Sequence, residues 1–108
     1  MSYCVETAAK ELLLELPDLE EIARLMVDEA YRNVSEARQA MAENRGEHYY
    51  ACIHTIKGAA GNLRMKDLAM IAAQAEKVRL ESFSEQEHHL SLIEQELAVI
   101  QKVIDSTY

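Results

Sequence analysis

The chain has 108 residues and a formal net charge of −8, with one proline, three glycines and no tryptophan. That length supports one hydrophobic core but not two, so a single domain spanning 1–108 is expected. The acidic balance argues against nucleic acid and anionic membranes as partners, because both need clustered cations, and no apolar run approaches the ~20 residues that cross a bilayer.

Met1-Ser2-Tyr3-Cys4-Val5-Glu6 lacks a basic segment followed by an apolar one, so no secretory leader is read. Met1 and the compact ends favour a freestanding chain; the acidic charge and the lack of a leader fit a cytoplasmic one, and a monomer is expected. The two cysteines, Cys4 and Cys52, are expected as free thiols. Cys52 reads as a small buried hydrophobe.

In chain order, Val5, Ala9, Leu12, Leu13 and Leu16 share one face of a short first helix, which Pro17 ends or turns. Asp18-Leu19-Glu20-Glu21 has the form of a capping box with Asp18 as N-cap. The long helix after it carries Leu19, Ile22, Met26, Ala30, Val34, Ala37 and Met41 on one face. Asn44-Arg45-Gly46 closes it, with Gly46 available for a left-handed cap. A third helix runs from about Glu47 to Leu63, and Arg64-Met65-Lys66 form a turn. A fourth begins near Asp67 and buries Leu68, Ile71, Ala75 and Val78. Ser82-Phe83-Ser84 breaks it, and Ser84-Glu85-Gln86-Glu87 reads as a second capping box. The last helix has Leu90, Ile93, Leu97, Ile100 and Ile104 at helical spacing. Short turns make sequential helices antiparallel. The expected fold is therefore all-α: an up-down-up-down four-helix bundle with a short extra N-terminal helix.

The third helix holds the most informative stretch, His54-Thr55-Ile56-Lys57-Gly58-Ala59-Ala60-Gly61. Glycine inside a helix costs about 1 kcal/mol relative to alanine, yet two of the three glycines lie within seven residues of His54. On a helix, His54, Lys57, Gly58 and Gly61 share one face, while Ile53, Ile56, Ala60 and Leu63 form the adjacent core stripe. A lone histidine on a bundle helix is usually a surface residue, and a lone lysine is usually solvated. Glycines that let helices pack closely belong on the core stripe, and these do not lie there. Bare backbone beside His54 suits the approach of something large. Tyr50, at i−4, stands at the rim of that surface.

The remaining reactive residues receive plainer readings. His48 and Cys52 are spaced i, i+4, but two ligands without a further pair make a weak metal site, so none is expected. His88 and His89 are adjacent and should point apart. Met26, Met41, Met65 and Met70 read as core filler.

The string His54-x-Ile56-Lys57-Gly58-x-Ala60, followed by Leu68, resembles the histidine-containing phosphotransfer (HPt) family. The motif covers about a quarter of the chain, and the helical pattern is compatible along nearly all of it. The resemblance implies that His54 is the phosphoacceptor, through the ring nitrogen farther from the backbone. Lys57 would offset charge on the phosphoryl oxygens. Glu76, on the next helix, would fix the ring's tautomer, and Gly58, Gly61 and Tyr50 would form the docking surface. The implied partners are receiver domains of response regulators and a histidine or hybrid kinase. The chain shows no Gly-rich phosphate loop and no recognisable acidic metal cluster. No cofactor is therefore expected on this chain, and the magnesium belongs to the receiver. One position departs from the family: Arg64 stands where many members have glycine. The turn there is accordingly expected to need no positive φ.

Three functional classes compete. A phosphorelay carrier, without kinase activity of its own, forms an adduct on His54. A helical adaptor binds a signalling partner without phosphorylation and tolerates loss of His54. A phosphatase acting on a receiver releases phosphate without a stable adduct.

Overall fold

The computed structural model describes residues 3–78 and 83–108. The described residues form five helices and no strand: α1 (Val5–Leu12), α2 (Leu16–Ala42), α3 (Gly46–Asn62), α4 (Lys66–Lys77) and α5 (Phe83–Thr107). Helices α2 to α5 pack cyclically, α2 on α3, α3 on α4, α4 on α5 and α5 on α2, while α1 lies against α2 and α5. The result is the expected four-helix bundle with a short leading helix. It measures 42 × 19 × 18 Å, a shape set by the two long helices at 1.5 Å per residue.

The core follows the apolar stripes. Leu19, Val27, Val34, Ile53, Ile56, Leu68, Leu90, Ile93, Leu97, Ile100 and Ile104 are all buried. Small residues occupy much of the rest: Ala23, Ala30, Ala37, Ala60, Ala72 and Ala75 are buried and let the helices approach closely. Tyr49 is fully enclosed on α3, a core position the periodicity did not single out. On the flank of the bundle, Arg38 forks onto Glu87 and Glu94 at 2.7–3.0 Å, tying α2 to α5.

The helix ends differ from the sequence expectations. Leu13 does not continue the first apolar face. It is the left-handed C-cap of α1, with φ 57°, and is 92 % exposed. Leu16 is exposed too, because α2 already begins there. Pro17 sits in the first turn of α2 rather than ending α1, a position where its missing N–H is no loss. Asp18 therefore lies inside the helix, and the N-cap is Glu15, with no side-chain cap bond. At the other end of α2 the left-handed residue is Asn44, φ 56°, and Gly46 opens α3.

The second capping box meets the same fate: Ser84 lies within α5, while Ser82 lies outside the described residues. Ile22 and Met70 are exposed rather than core, and Ile71 and Val78 are only partly buried. The rings of His88 and His89 do not diverge but meet edge to face at 5.5 Å. Cys4 is exposed, Cys52 is buried, and both are unpaired.

A three-residue pattern recurs at the helix ends. The amides of Leu14, Arg45 and Met65 reach back to the carbonyls of Ala9, Ala40 and Ala60 at 2.8–3.0 Å. These are Schellman closures, each hinged on one left-handed residue: Leu13, Asn44 or Arg64. Arg64 has φ 64°, contrary to the expectation that the turn would not need a positive φ. The left-handed requirement comes from the short α3–α4 connection and persists whether or not glycine fills it. The Arg64 side chain compensates. Its guanidinium bonds Glu11 of α1 at 2.9 Å and the carbonyls of Gly61 and Asn62 at 3.4 and 3.2 Å. A cation thereby sits on the negative end of α3.

Candidate functional site

Helix α3 presents two faces. Ile53, Ile56 and Ala60 point inward, and His54, Gly58 and Gly61 point out. The His54 side chain is 59 % exposed at mid-helix. Its ring stacks on Tyr50 one turn earlier, with centroids 5.8 Å apart and planes 26° from parallel. That contact limits how the imidazole can rotate.

Glu76 reaches across from α4. One carboxylate oxygen lies 2.8 Å from His54 Nδ1, and the other lies 3.0 Å from Lys57 Nζ. The Glu76 side chain is only 13 % exposed. Burial pushes its carboxyl pKa up, but the hydrogen bonds from Lys57 and His54 outweigh that and hold it below the ordinary glutamate range. An ionised carboxylate only accepts hydrogen bonds. Nδ1 must therefore donate, and in the neutral imidazole the lone pair falls on Nε2. Nε2 is the ring atom farther from the backbone. Lys57 and Glu76 together leave little net charge beside the ring.

The glycines are unforced by the fold. Neither has a positive φ, and a Cβ built on Gly58 or Gly61 meets nothing within 4 Å. Among the described residues no helix packs against them, and no turn needs them. They leave a low, bare strip of helix next to His54.

One feature of this face was missed in the sequence. On the α2 side lies an apolar groove of about 460 Å³, lined among others by Ile22, Leu25, Thr55, Ala59 and Asn62. Leu25 is 59 % exposed and Ile22 is also exposed. The signal was available in Leu25, an apolar residue of α2 outside the stripe read from the sequence; Ile22, read as part of that stripe, lies exposed beside it. Isolated exposed apolar residues are ordinary, but two beside a groove make a patch.

The site residues named from the sequence are thus together. His54, Lys57, Glu76 and Tyr50 are in contact, and Gly58 and Gly61 lie on the same face of α3. No helix among the described residues is long and apolar enough to cross a membrane. The family model of the Hpt domain matches residues 21–105. That span contains α3, α4, most of α2 and nearly all of α5, and leaves α1 outside. Neither the curated proteins nor the solved structures give a match.

Proposed function

The chain belongs to the Hpt domain family, and its work is histidine phosphotransfer in phosphorelay signalling; from that premise we propose that it carries the phosphoryl group on His54 Nε2, between receiver domains. The observation that supports this most is the Glu76 carboxylate, 2.8 Å from Nδ1 on an otherwise exposed ring.

In the proposed reaction a receiver brings its aspartyl phosphate to about 3 Å from Nε2. The Nε2 lone pair attacks phosphorus, and the bond from phosphorus to the aspartyl oxygen breaks. The electron pair leaves with the receiver's carboxylate. The proton on Nδ1 stays in place, so the phosphorylated ring is a cation at the moment the new bond forms. Glu76 is poised to stabilise that cation, and Lys57 Nζ to offset the phosphoryl oxygens. Transfer onward is the reverse step with a second receiver. Magnesium and the remaining catalytic groups come from the receiver. Gly58 and Gly61 let the receiver's rim approach α3, with Tyr50 at its edge. The Ile22–Leu25 groove supplies apolar area to a partner that docks across α2 and α3.

The test uses a phosphorylated receiver and three chains: wild type, His54→Gln and Gly58→Gln. Wild type draws the phosphoryl group from the receiver onto itself, and His54→Gln stays folded and takes none. Phosphate released to solvent with no adduct would mean a phosphatase. Binding of the receiver with equal strength by all three chains, and no transfer by any, would mean an adaptor.

A further inference from the structure

We propose that Glu36, His48 and Cys52 form a binding site for a divalent cation of the zinc class, separate from His54, which clips α2 to α3. The sequence reading set the His48–Cys52 pair aside for want of a further ligand. The fold supplies one from the neighbouring helix. Cys52 Sγ lies 3.9 Å from Glu36 Oε2 and 3.9 Å from His48 Nε2, and His48 Nε2 lies 3.7 Å from Glu36 Oε2.

The three donor atoms therefore form a nearly equilateral triangle. The centre of such a triangle is about 2.2 Å from each corner, within the ~2.0–2.3 Å span of zinc bonds to oxygen, nitrogen and sulfur. Drawing the corners together by a few tenths of an ångström lifts the cation out of the plane. The geometry becomes tetrahedral, with one position open to water. Helical spacing explains the pair on α3, since i, i+4 places His48 and Cys52 one above the other. Cys52 is buried and faces α2, where Glu36 stands opposite, whereas His54 faces α4.

The donor set selects the metal class. Thiolate and imidazole favour zinc-like ions over magnesium or calcium, which prefer oxygen alone. In the metal-free chain the thiol is placed to donate toward the Glu36 carboxylate. Burial first, and the nearby Glu36 charge second, push the Cys52 pKa up and keep that proton in place. On binding, the proton leaves to solvent and the cation takes its position between sulfur and carboxylate.

Cobalt(II) is the probe, used with the full chain in a Cys4→Ser background so that Cys52 is the only thiol. The expected result is one equivalent bound, a thiolate-to-cobalt charge-transfer absorption, and displacement by zinc(II). Zinc(II) raises the melting temperature of this protein. Adding Cys52→Ser removes the absorption and the rise. His48→Gln and Glu36→Gln each weaken binding by more than the ~10–100-fold that loss of a mere supporting group produces. Should Cys52→Ser fail to fold, His48→Gln carries the test, since its side chain is partly exposed. A Cys4→Ser protein with no charge-transfer band, or a band that survives in folded Cys52→Ser, overturns the site. So does unchanged affinity in His48→Gln.

Discussion

Glu76 and Gly58 make opposite demands on the same patch, one by what it holds and the other by what it omits. The folded-state pKa of Glu76 is depressed, so its contribution to stability is complete above the ordinary glutamate value of 4.5 and is lost as pH falls through the lower folded value. Glu76→Gln should flatten the acid limb of the stability curve below about pH 4.5, with a loss near neutrality of about 1 kcal/mol, because His54 is exposed and Lys57 is only partly buried, so solvent screens both pairs. Denaturant melts at a series of pH values check this. An unchanged acid limb would contradict the assignment of an ionised, doubly bonded carboxylate. The same variant should slow phosphotransfer, because an amide cannot hold the cationic ring as a carboxylate does.

Gly58 offers the complementary experiment. A methyl there meets open space, so Gly58→Ala should stabilise the chain by up to roughly 1 kcal/mol. Gly58→Gln should fold as well as wild type and transfer much more slowly, because its side chain stands where the receiver approaches. Thermal unfolding and the transfer rate, measured on both variants, separate a docking strip from a chance pair of helix glycines.

Among the elements, the apolar stripes were legible and the caps were not. Ile53, Ile56, Ala60 and Leu63 were read as a buried stripe because a period of 3.6 survives any local detail, and all four are buried. Helix ends depend on one residue's φ, which the periodic pattern does not encode. Pro17 reads as the end or a turn of the first helix, but proline serves equally well in a first turn, where it lies. Gly46 was read as the left-handed cap because glycine enters that region freely, yet the chain places Asn44 there. Leu13 and Arg64 both adopt the left-handed conformation without being glycine. A left-handed conformation costs a branched or long residue roughly 1–2 kcal/mol. Leu13→Gly should therefore raise stability by about 1 kcal/mol, since the leucine is 92 % exposed and little packing is lost. Arg64 is more balanced, because its guanidinium bonds Glu11 and two carbonyls of α3. Arg64→Gly should end about 1 kcal/mol more stable than Arg64→Ala. The two variants lose the same ion pair, and only glycine relieves the backbone. Equal stabilities would show that the turn relaxes out of the left-handed region.

At the scale of the molecule, the bundle works as a rigid bracket. It holds His54 on α3 and Glu76 on α4 within hydrogen-bond reach while leaving the His54 side chain largely exposed. The face of α3 around His54 could be read because Tyr50, His54, Lys57, Gly58 and Gly61 lie close together in sequence. The α2–α3 groove could not, since it joins Ile22 and Leu25 to Thr55 and Ala59 across the bundle. If that groove carries the partner, Leu25→Asp should raise the receiver concentration needed for half-maximal transfer severalfold, without changing the rate at saturation or the fold. A lowered saturating rate with unchanged half-saturation would place the groove outside the docking surface.

The central claim is that one nitrogen of one histidine carries the phosphoryl group. The most direct measurement is to phosphorylate the chain from a receiver, fix the mass of the intact product, and locate the adduct by peptide fragmentation and nitrogen–phosphorus NMR. The account predicts a single acid-labile, base-stable adduct on His54 Nε2, absent from His54→Gln. An adduct on His48, His88 or His89, an adduct on Nδ1 of His54, or none from a receiver that phosphorylates another carrier, would contradict it.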